Sequence, residues 1–386
     1  MIRIPAGASG DRSVVTRIDT TQIAMSAPDL DDADVAAVVE VLRSGRLALG
    51  PQAERFEEMV AGVAGTRHAV AVSSGTAGLH LIVRSLGIGP GDEVLVPSFT
   101  FAASVNAILY EGATPVFVDI EPGTYTVDPA SIEERITSRT KAVMVVDVFG
   151  HPADHDAIAR ASGDLPVIDD CCEALGAVYR GRPVGSMGRA GCFAFYPNKQ
   201  ITTGEGGMVV TDDDDVSALC RSMRNHGRSD TGAWLEHERL GFNYRMDELS
   251  AALGVAQMGR LPSLLRSRTQ VADRYTERLA SIPSVRTPAA RADVTMSWFA
   301  YVVTLDAGLR RRAVMDALDR RGIPSRAYFP PMHLQPYIRD LLGTREGMLP
   351  VTEELAERTL ALPFHGGMDR DQIDLVCEAL ALAVRR

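Results

Sequence analysis

Short apolar runs alternate with helical patterns through the first half of the chain. Apolar residues recur at helical spacing in residues 31–43, 52–63, 77–86, 102–110, 129–136 and 153–161. Compact apolar runs predict strands at residues 68–72, 93–97, 114–120, 142–148 and 165–169. Strands that alternate with helices at this pace indicate an α/β fold, with a mainly parallel sheet wrapped by helices.

The pattern changes after Gly191. Two strands are predicted close together, at residues 192–196 and 207–211, followed by a helix at 213–223 and a long helix at 248–278 that breaks near Pro262. The acidic run at 212–215 indicates a helix N-terminus or a solvated loop. The rest has its own α+β pattern, with a strand at 297–304 and helices at 310–321, 353–360 and 370–384.

These patterns predict the domain organisation. Residues 1–24 form a polar N-terminal tail, residues 25–270 a large domain, and residues 271–386 a smaller C-terminal α+β domain. The boundary falls within residues 265–285, near the end of the long helix.

Charge and composition exclude several classes of protein. The net charge of -10 argues against a nucleic-acid binder, which needs a basic surface. The chain has no uninterrupted apolar run of about 18 residues, so no membrane span is expected. The N-terminus has no apolar signal-peptide core, and the five cysteines form no CxxC pair. We therefore expect a cytoplasmic protein with reduced thiols and no metal site.

Lysine is rare in this chain. Of its 40 lysines and arginines, only Lys141 and Lys199 are lysines. An amine that can lose its proton is what lysine offers and arginine does not. Lys141 precedes an apolar run, where chance retention is sufficient explanation. Lys199 lies in a turn between Phe195-Tyr196 and the glycine-rich segment 204–207, which favours a chemical role.

Two further segments carry candidate chemistry. Ser74, Gly75, Thr76 and Ala77 lie between a strand and a helix, where backbone N–H groups can bind a phosphate; an ordinary N-cap turn is the alternative. Asp169 and Asp170 end a predicted strand, where a carboxylate can pair with a cationic ring nitrogen; helix capping by Asp169 is the alternative.

A phosphate seat, an aspartate and a lysine together predict a site for pyridoxal 5'-phosphate (PLP). Phe101 is positioned in the sequence to stack on the cofactor ring, or else is a core aromatic.

Four motifs give the chain a family resemblance. They are Ser74–Ala77 (S-G-T-A), residues 170–176 (D-C-C-E-A-L-G), the lysine segment 199–207 (K-Q-I-T-T-G-E-G-G) and residues 241–246 (G-F-N-Y-R-M). From about residue 23 to residue 382 the sequence resembles the DegT/StrS family of PLP-dependent sugar aminotransferases. The resemblance implies the fold-type I architecture of the aspartate aminotransferase superfamily.

The resemblance also implies residue roles. Lys199 would be the Schiff-base lysine and proton shuttle, Asp170 would hold the ring nitrogen protonated, and Glu173 would face the cofactor hydroxyl and the substrate. The cofactor phosphate would be held by Ser74, Gly75, Thr76 and Ala77, with Asn243 reaching it from a partner subunit, and Phe101 would cover the ring. A homodimer with shared active sites is therefore implied.

Three positions distinguish this chain within that resemblance. Ala194 stands where many relatives have a phosphate-binding serine, so phosphate binding would depend more on Ser74, Thr76 and Asn243. Lys199 is retained, whereas some sugar dehydratases of the family have histidine there, so transamination is favoured. Glu173 resembles the perosamine-synthase branch.

The implied reaction moves an amino group from L-glutamate to a keto-sugar, best a nucleotide-linked 4-keto-6-deoxyhexose, with ping-pong kinetics. Substrate-binding candidates are Tyr244, Arg245, His226, Arg326 and His333, with Arg224 and Arg228 as further cations. For each cation, the alternative to substrate binding is a surface or structural charge. For His333, the alternative is a role in internal packing. The alternatives to this function are a keto-cyclitol aminotransferase, a sugar dehydratase and a non-catalytic PLP-binding regulator.

Overall fold

The computed structural model describes residues 23–228 and 236–385. Residues 1–22 of the predicted tail lie outside this described part. Ile23, which the sequence assigned to the same tail, is instead buried in a core with Tyr275 and Phe364. The folded chain therefore begins at least two residues earlier than predicted.

The described residues form the following helices and strands. The helices are α1 (Asp32–Ser44), α2 (Pro51–Ala64), α3 (Gly75–Ser85), α4 (Ala102–Tyr110), α5 (Pro129–Arg135), α6 (His155–Ser162), α7 (Asp214–Arg224), α8 (Glu248–Leu279), α9 (Arg311–Asp319), α10 (Pro336–Leu342), α11 (Pro350–Arg358) and α12 (Arg370–Val384). The strands are β1 (His68–Val72), β2 (Glu93–Pro97), β3 (Thr114–Val118), β4 (Thr140–Val146), β5 (Val167–Asp170), β6 (Val178–Tyr179), β7 (Arg182–Pro183), β8 (Ala190–Ala194), β9 (Gly207–Thr211), β10 (Val285–Arg286), β11 (Val294–Thr295), β12 (Tyr301–Leu305) and β13 (Thr359–Leu362).

A seven-stranded sheet organises the larger part of the fold. Its order is β1-β9-β8-β5-β4-β2-β3, and only β9 runs against the other six strands. The predicted mainly parallel sheet is thus confirmed. The carboxyl ends of β1, β4 and β5 reach the same edge, and they bring Ser74, Asp147 and Asp170 there.

Polar residues at the helix starts explain several boundaries. The Asp31 side chain accepts from the N–H groups of Ala33 and Asp34, and Gly45 ends α1 in the left-handed conformation. Asp213 caps α7 by accepting from Val216 N–H. The acidic run at 212–215 therefore marks a helix N-terminus, one of the two alternatives that the sequence left open.

Helix α8 corrects one prediction, because it is continuous through Pro262 rather than broken there. Proline removes one backbone hydrogen bond and crowds the preceding turn. Leu261 and Leu264 on either side of it are buried in a core with Phe56 and Phe195. Packing on both sides of the proline therefore keeps the two halves in one helix.

The C-terminal region departs from the predicted element bounds. The strand expected at 297–304 is β12, which begins at Tyr301, and the helix expected at 353–360 starts earlier and yields to β13 at Thr359. Strands β10, β12 and β13 form an antiparallel sheet. The two-residue strands β6, β7, β10 and β11 were not predicted, because such short segments carry no readable alternation.

None of the helices in the described part of the chain is long and apolar enough to cross a membrane. All five cysteines are free thiols in this structure. The predicted boundary between two domains stays a prediction, and α8 contributes to cores on both sides of it.

Candidate active site

Lys199 lies in the turn that follows β8, and its amine has two close neighbours. The Nζ atom is 3.6 Å from Glu173 Oε1. It also lies 4.0 Å from the ring centroid of Phe299, a distance that allows a cation–π contact. The lysine side chain is only 13% exposed. The retained lysine is therefore a sheltered amine held between a carboxylate and an aromatic ring.

Asp170 ends β5 and is buried at the edge of the sheet. Its Oδ2 accepts a 2.6 Å hydrogen bond from the Ser104 hydroxyl, and its Oδ1 accepts from Cys172 N–H at 3.2 Å. Burial raises the pKa of Asp170, while the Ser104 hydrogen bond opposes the rise. Ser104 thus fixes the orientation of the carboxylate and favours its charged form, which a protonated ring nitrogen requires.

Glu173 occupies the turn after β5 and is held at both ends. Its Oε2 accepts from Phe149 N–H at 2.8 Å, and Gln200 Nε2 donates to its backbone oxygen at 2.6 Å. Burial raises the pKa of Glu173, and the charge of Lys199 opposes that rise. The carboxyl group is therefore placed to exchange a proton or a hydrogen bond beside the lysine amine.

The N-terminus of α3 forms a close-packed anion seat. Ser74 caps the helix by accepting from Ala77 N–H at 3.1 Å, which leaves the first N–H groups, those of Gly75 and Thr76, at the open end. A Cβ on Gly75 would lie 2.8 Å from the Ala194 Cβ, and one on Gly207 would lie 2.5 Å from Ser74 backbone atoms. Glycine at these positions lets the backbone approach closely enough to form the seat.

Arg268 of α8 is a positioning residue that the sequence did not reveal. Its guanidinium donates to the backbone oxygens of Lys199 at 2.6 Å and Phe299 at 3.3 Å. Burial lowers the pKa of Arg268 to about 10. Its position in a long helical pattern gives no signal of this contact, because the bonded oxygens come from distant segments. Phe299 and Ser104 were missed for the same reason.

The predicted covering residue Phe101 and the predicted phosphate ligand Asn243 are both exposed. Phe101 is 65% exposed at the start of α4, so it is not the core aromatic that the sequence left as an alternative. Asn243 makes an isolated backbone bridge with Asn225. Both side chains are thus accessible to a ligand or a second chain.

The predicted substrate residues near Asn243 fall into two groups. Tyr244 packs its ring on Phe242 with centroids 4.9 Å apart, and its hydroxyl lies 3.1 Å from His80 Nδ1, which indicates a packing role. His226 is exposed, and Arg245 donates to Asn225 Oδ1 at 2.9 Å without a carboxylate partner among the described residues.

Arg224 and His333 are committed to structural contacts. Arg224 donates to the buried carboxylate of Glu57 at 2.5 Å. His333 is fully buried; its Nδ1 lies 2.7 Å from Ser98 Oγ and its Nε2 lies 3.0 Å from Glu353 Oε1. Burial lowers the pKa of His333, and Glu353 opposes the change. This geometry favours the packing alternative for His333.

Arg326 is exposed. Burial raises the pKa of Tyr328, with Glu173 adding to the rise and Arg326 opposing it. The pKa of Tyr328 therefore responds to the charges of both Glu173 and Arg326. Arg326 forms no ion pair with a carboxylate within the described ranges, and its guanidinium donates only to Ser325 O. It is thus available to a ligand anion.

These residues together define a class of enzyme. A sheltered lysine amine, a buried aspartate and a helix N-terminus lie at one edge of a mainly parallel sheet, which is the arrangement of a PLP-dependent transferase. The donor set fits the cofactor: an anion seat for the phosphate, Asp170 for the ring nitrogen, and Lys199 for the carbonyl carbon.

Comparison with known proteins gives the particular family. The DegT/DnrJ/EryC1/StrS aminotransferase family matches residues 28–381, and the chain belongs to that family. It is 40% identical to the GDP-perosamine synthase of Caulobacter vibrioides, over 94% of this chain and 98% of that protein. It is also 40% identical to the UDP-N-acetyl-3-dehydro-alpha-D-glucosamine 3-aminotransferase of Acidithiobacillus ferrooxidans, over 92% of this chain and 94% of that one.

The fold also matches solved structures of the class. Spr1654 from Streptococcus pneumoniae, solved in its PLP form, superposes with a TM-score of 0.89 at 29% identity, covering 94% of this chain and 98% of that chain. The predicted α/β transferase fold and the family resemblance are therefore confirmed.

Proposed function

We propose that this aminotransferase uses PLP to move an amino group from L-glutamate to a nucleotide-linked keto-sugar, best a 4-keto-6-deoxyhexose, by a ping-pong mechanism. The observation that carries the proposal is the Lys199 amine, held 3.6 Å from Glu173 at the edge where Asp170 is buried. The 40% identity to a GDP-perosamine synthase supports the sugar class.

The cofactor supplies an electron sink for the carbon that loses its proton. Lys199 would hold the cofactor between reactions, and its amine would accept the proton that the substrate carbon loses. Asp170, oriented by Ser104, keeps the ring nitrogen protonated. Glu173 orients the lysine amine and receives a hydrogen bond from Phe149 N–H. The N-terminus of α3 binds the phosphate.

The visible spectrum of the purified protein tests the first half-reaction. L-Glutamate is expected to convert the lysine-bound cofactor to its amine form in the native protein. Lys199→Ala is expected to abolish the conversion, whereas Lys141→Ala, at the other lysine, is expected to leave it unchanged because Lys141 is exposed. Conversion by Lys199→Ala at the native rate would contradict the proposal.

The two unpaired arginines support a nucleotide-linked substrate. Arg245 and Arg326 have no carboxylate partner among the residues described, so each is free to bind a diphosphate. Arg326→Gln is expected to raise KM for a nucleotide-linked keto-sugar about tenfold or more, because a charge-assisted bond contributes about 1.5–3 kcal/mol. Steady-state kinetics measure this change.

A surface arginine in the same region provides the control. Arg312→Gln is expected to leave KM unchanged, since Arg312 is 84% exposed and pairs with Asp316. A keto-cyclitol substrate carries no diphosphate. If Arg326→Gln leaves KM for the nucleotide-linked sugar unchanged and a free keto-cyclitol is aminated efficiently, the cyclitol aminotransferase is the correct assignment.

The dehydratase and regulator alternatives lack comparable support. Lys199 is present and sheltered, which favours amino transfer over dehydration. We also propose a homodimer with Asn243 completing the phosphate site of the partner; the exposure of Asn243 and of Phe101 supports it. The cytoplasmic location stays a prediction.

A further inference from the structure

A buried cluster of three ionisable side chains lies on the sheet face opposite Asp170. Asp169 precedes Asp170 in β5, and neighbouring residues of a strand point to opposite faces. One carboxylate oxygen each of Asp169 and Asp147 and one ring nitrogen of His155 lie within 4.8 Å of one another. The three residues are at most 5% exposed. Asp169 caps no helix in the described chain, which excludes the role that the sequence offered for it.

The hydrogen bonds of this cluster leave two carboxylate oxygens without donors. Asp147 Oδ1 accepts from Ala153 N–H at 2.7 Å and lies 3.2 Å from His155 Nε2. Asp169 Oδ2 accepts from Gly185 N–H at 3.2 Å. Asp147 Oδ2 and Asp169 Oδ1 are buried and have no partner among the described residues. Such oxygens cost considerable free energy unless a donor reaches them, and a proton on one of the two carboxyl groups would supply that donor.

The charges balance with one shared proton. Two ionised carboxylates beside a protonated imidazole would leave a net negative charge in the interior. One proton shared by the two aspartates, with His155 protonated, makes the cluster neutral. Burial would lower the pKa of His155, but the Asp147 and Asp169 carboxylates outweigh it and raise the pKa to about 9.

Other ionisable groups face the cluster without supplying that proton. The Cys171 thiol donates a hydrogen bond to Asp169 O at 3.2 Å. Its pKa is raised mainly by burial and also by the nearby carboxylates. The Tyr179 ring lies 5.8 Å from the His155 ring, and its hydroxyl donates to Asp154. Arg182, paired with Asp156, lowers the pKa of His155, and His151 Nδ1 lies 2.7 Å from Pro152 O.

The cluster fixes the turn that borders the Lys199 amine. Asp147 N–H donates to Asp170 O at 3.2 Å, and its carboxylate holds the chain again at Ala153 and His155. Between these anchors lies the turn Val148–Gly150, in which Phe149 has a φ of 59°.

This turn supports both neighbours of the lysine amine. Phe149 N–H donates to Glu173 Oε2 at 2.8 Å, and Phe149 O accepts from Phe299 N–H at 3.1 Å. Glu173 and Phe299 are the carboxylate and the ring beside Lys199 Nζ.

We propose that Asp147, Asp169 and His155 form a proton-sharing cluster that positions the Val148–Gly150 turn, and through it Glu173 and Phe299 against the lysine amine. Asp147 and Asp169 are positioning residues, because neither contacts Lys199 in the described structure. The proposal rests on Lys199 being the reacting amine, but the tests below use the protein without cofactor and do not depend on transamination.

Infrared spectroscopy tests the shared proton directly. The native-minus-Asp169→Asn difference spectrum is expected to show the carbonyl band of a protonated carboxylic acid at pH 6. The bands of Asp170 and Glu173 cancel in this difference. Asparagine replaces the shared O–H donor with an N–H donor, so Asp169→Asn is expected to fold. Absence of the difference band would overturn the proposal, as would a stoichiometric divalent metal in the native protein that Asp169→Asn loses.

Amine labelling tests the positioning role, since the chain has just two lysines. Labelling rates at Lys199 are measured by mass spectrometry relative to exposed Lys141. Asp169→Asn is expected to keep the native ratio within about twofold. Asp169→Ala is expected to raise the ratio about threefold or more, because displacement of the turn exposes the Lys199 amine, whose side chain is only 13% exposed in the native protein.

A destabilised control separates positioning from general loosening. Leu318→Ala removes a buried side chain from the core that contains Tyr275 and is expected to leave the labelling ratio unchanged. A native ratio in folded Asp169→Ala would assign the cluster a structural role only. If Asp169→Ala does not fold, the infrared comparison with Asp169→Asn still decides the proton-sharing part.

The cluster also predicts a pH dependence of stability. Burial, with Asp147 adding to it, raises the pKa of Asp169 from 3.8 to about 7. A raised carboxyl pKa gives a stabilising contribution that is present below pH 3.8 and is lost as the pH rises through 7. The urea midpoint is therefore expected to fall between pH 5 and pH 7, and this fall is expected to be larger in the native protein than in Asp169→Asn. Equal falls would contradict the proposal.

Discussion

At the residue scale, Ala194 adjoins the anion seat directly. Its Cβ would lie 2.8 Å from a Cβ on Gly75, at the first turn of α3. Ala194→Ser places a hydroxyl beside the N–H groups of that turn. We expect the Kd for PLP to fall about three- to tenfold, since one hydrogen bond typically contributes about 0.5–1.5 kcal/mol. Equilibrium titration with PLP measures the change, and weaker binding would show that the seat has no room for the hydroxyl.

The placement of site residues follows the sequence best where the signal is local. Lys199, Asp170 and Glu173 belong to contiguous motifs, and the structure brings Lys199 and Glu173 together. Arg268 and Phe299 were not predicted, because their contacts with the lysine turn join segments about 70 to 100 residues apart. For His333 the sequence left a substrate role and a packing role open, because a histidine looks the same in sequence in either role, and its complete burial favours packing.

At the scale of elements, the junction between β9 and α3 supports the anion seat. A Cβ on Gly207 would lie 2.5 Å from the carbonyl carbon and oxygen of Ser74. Gly207→Ala is therefore expected to displace the start of α3, lower stability by about 1–3 kcal/mol and weaken PLP binding. Urea unfolding and PLP titration measure both effects.

The matched control is a glycine with free space. Gly62→Ala in α2 meets nothing within 4 Å, so we expect no loss of PLP affinity and a small gain in stability. Equal PLP affinity in Gly207→Ala and the native protein would show that the seat tolerates the displacement.

Most elements of the large sheet could be predicted from hydrophobic periodicity. Strands β1, β2 and β9 and helices α4 and α12 have the predicted bounds. Helix α8 and strand β13 could not be predicted correctly, for different reasons. Packing around Leu261 and Leu264 overrides the local effect of Pro262. The start of β13 at Thr359 depends on its pairing with β12, which is a non-local interaction.

At the scale of the whole molecule, the proposed shared active sites predict complementation between inactive variants. In such a dimer, Lys199 and Asn243 of one site come from different chains. Lys199→Ala and Asn243→Asp are each expected to be inactive, the second because its carboxylate repels the phosphate. Mixing and refolding equal amounts is expected to restore roughly a quarter of the native sites, since half of the dimers are mixed and each has one intact site.

Transaminase assays of the mixture and of the separate variants measure this recovery. Analytical ultracentrifugation verifies that mixed dimers form. No recovery from a demonstrably mixed dimer would place Asn243 in the site of its own chain.

Helix α8 has a consequence for how the molecule unfolds. It is 32 residues long, and its first half packs in the core with Phe56 while its second half packs in the core with Tyr301. Melting this helix removes packing from both cores at once, so neither core can lose its structure while the other keeps all of its own. The helix therefore couples the two cores into a single cooperative unit, even though each has its own sheet.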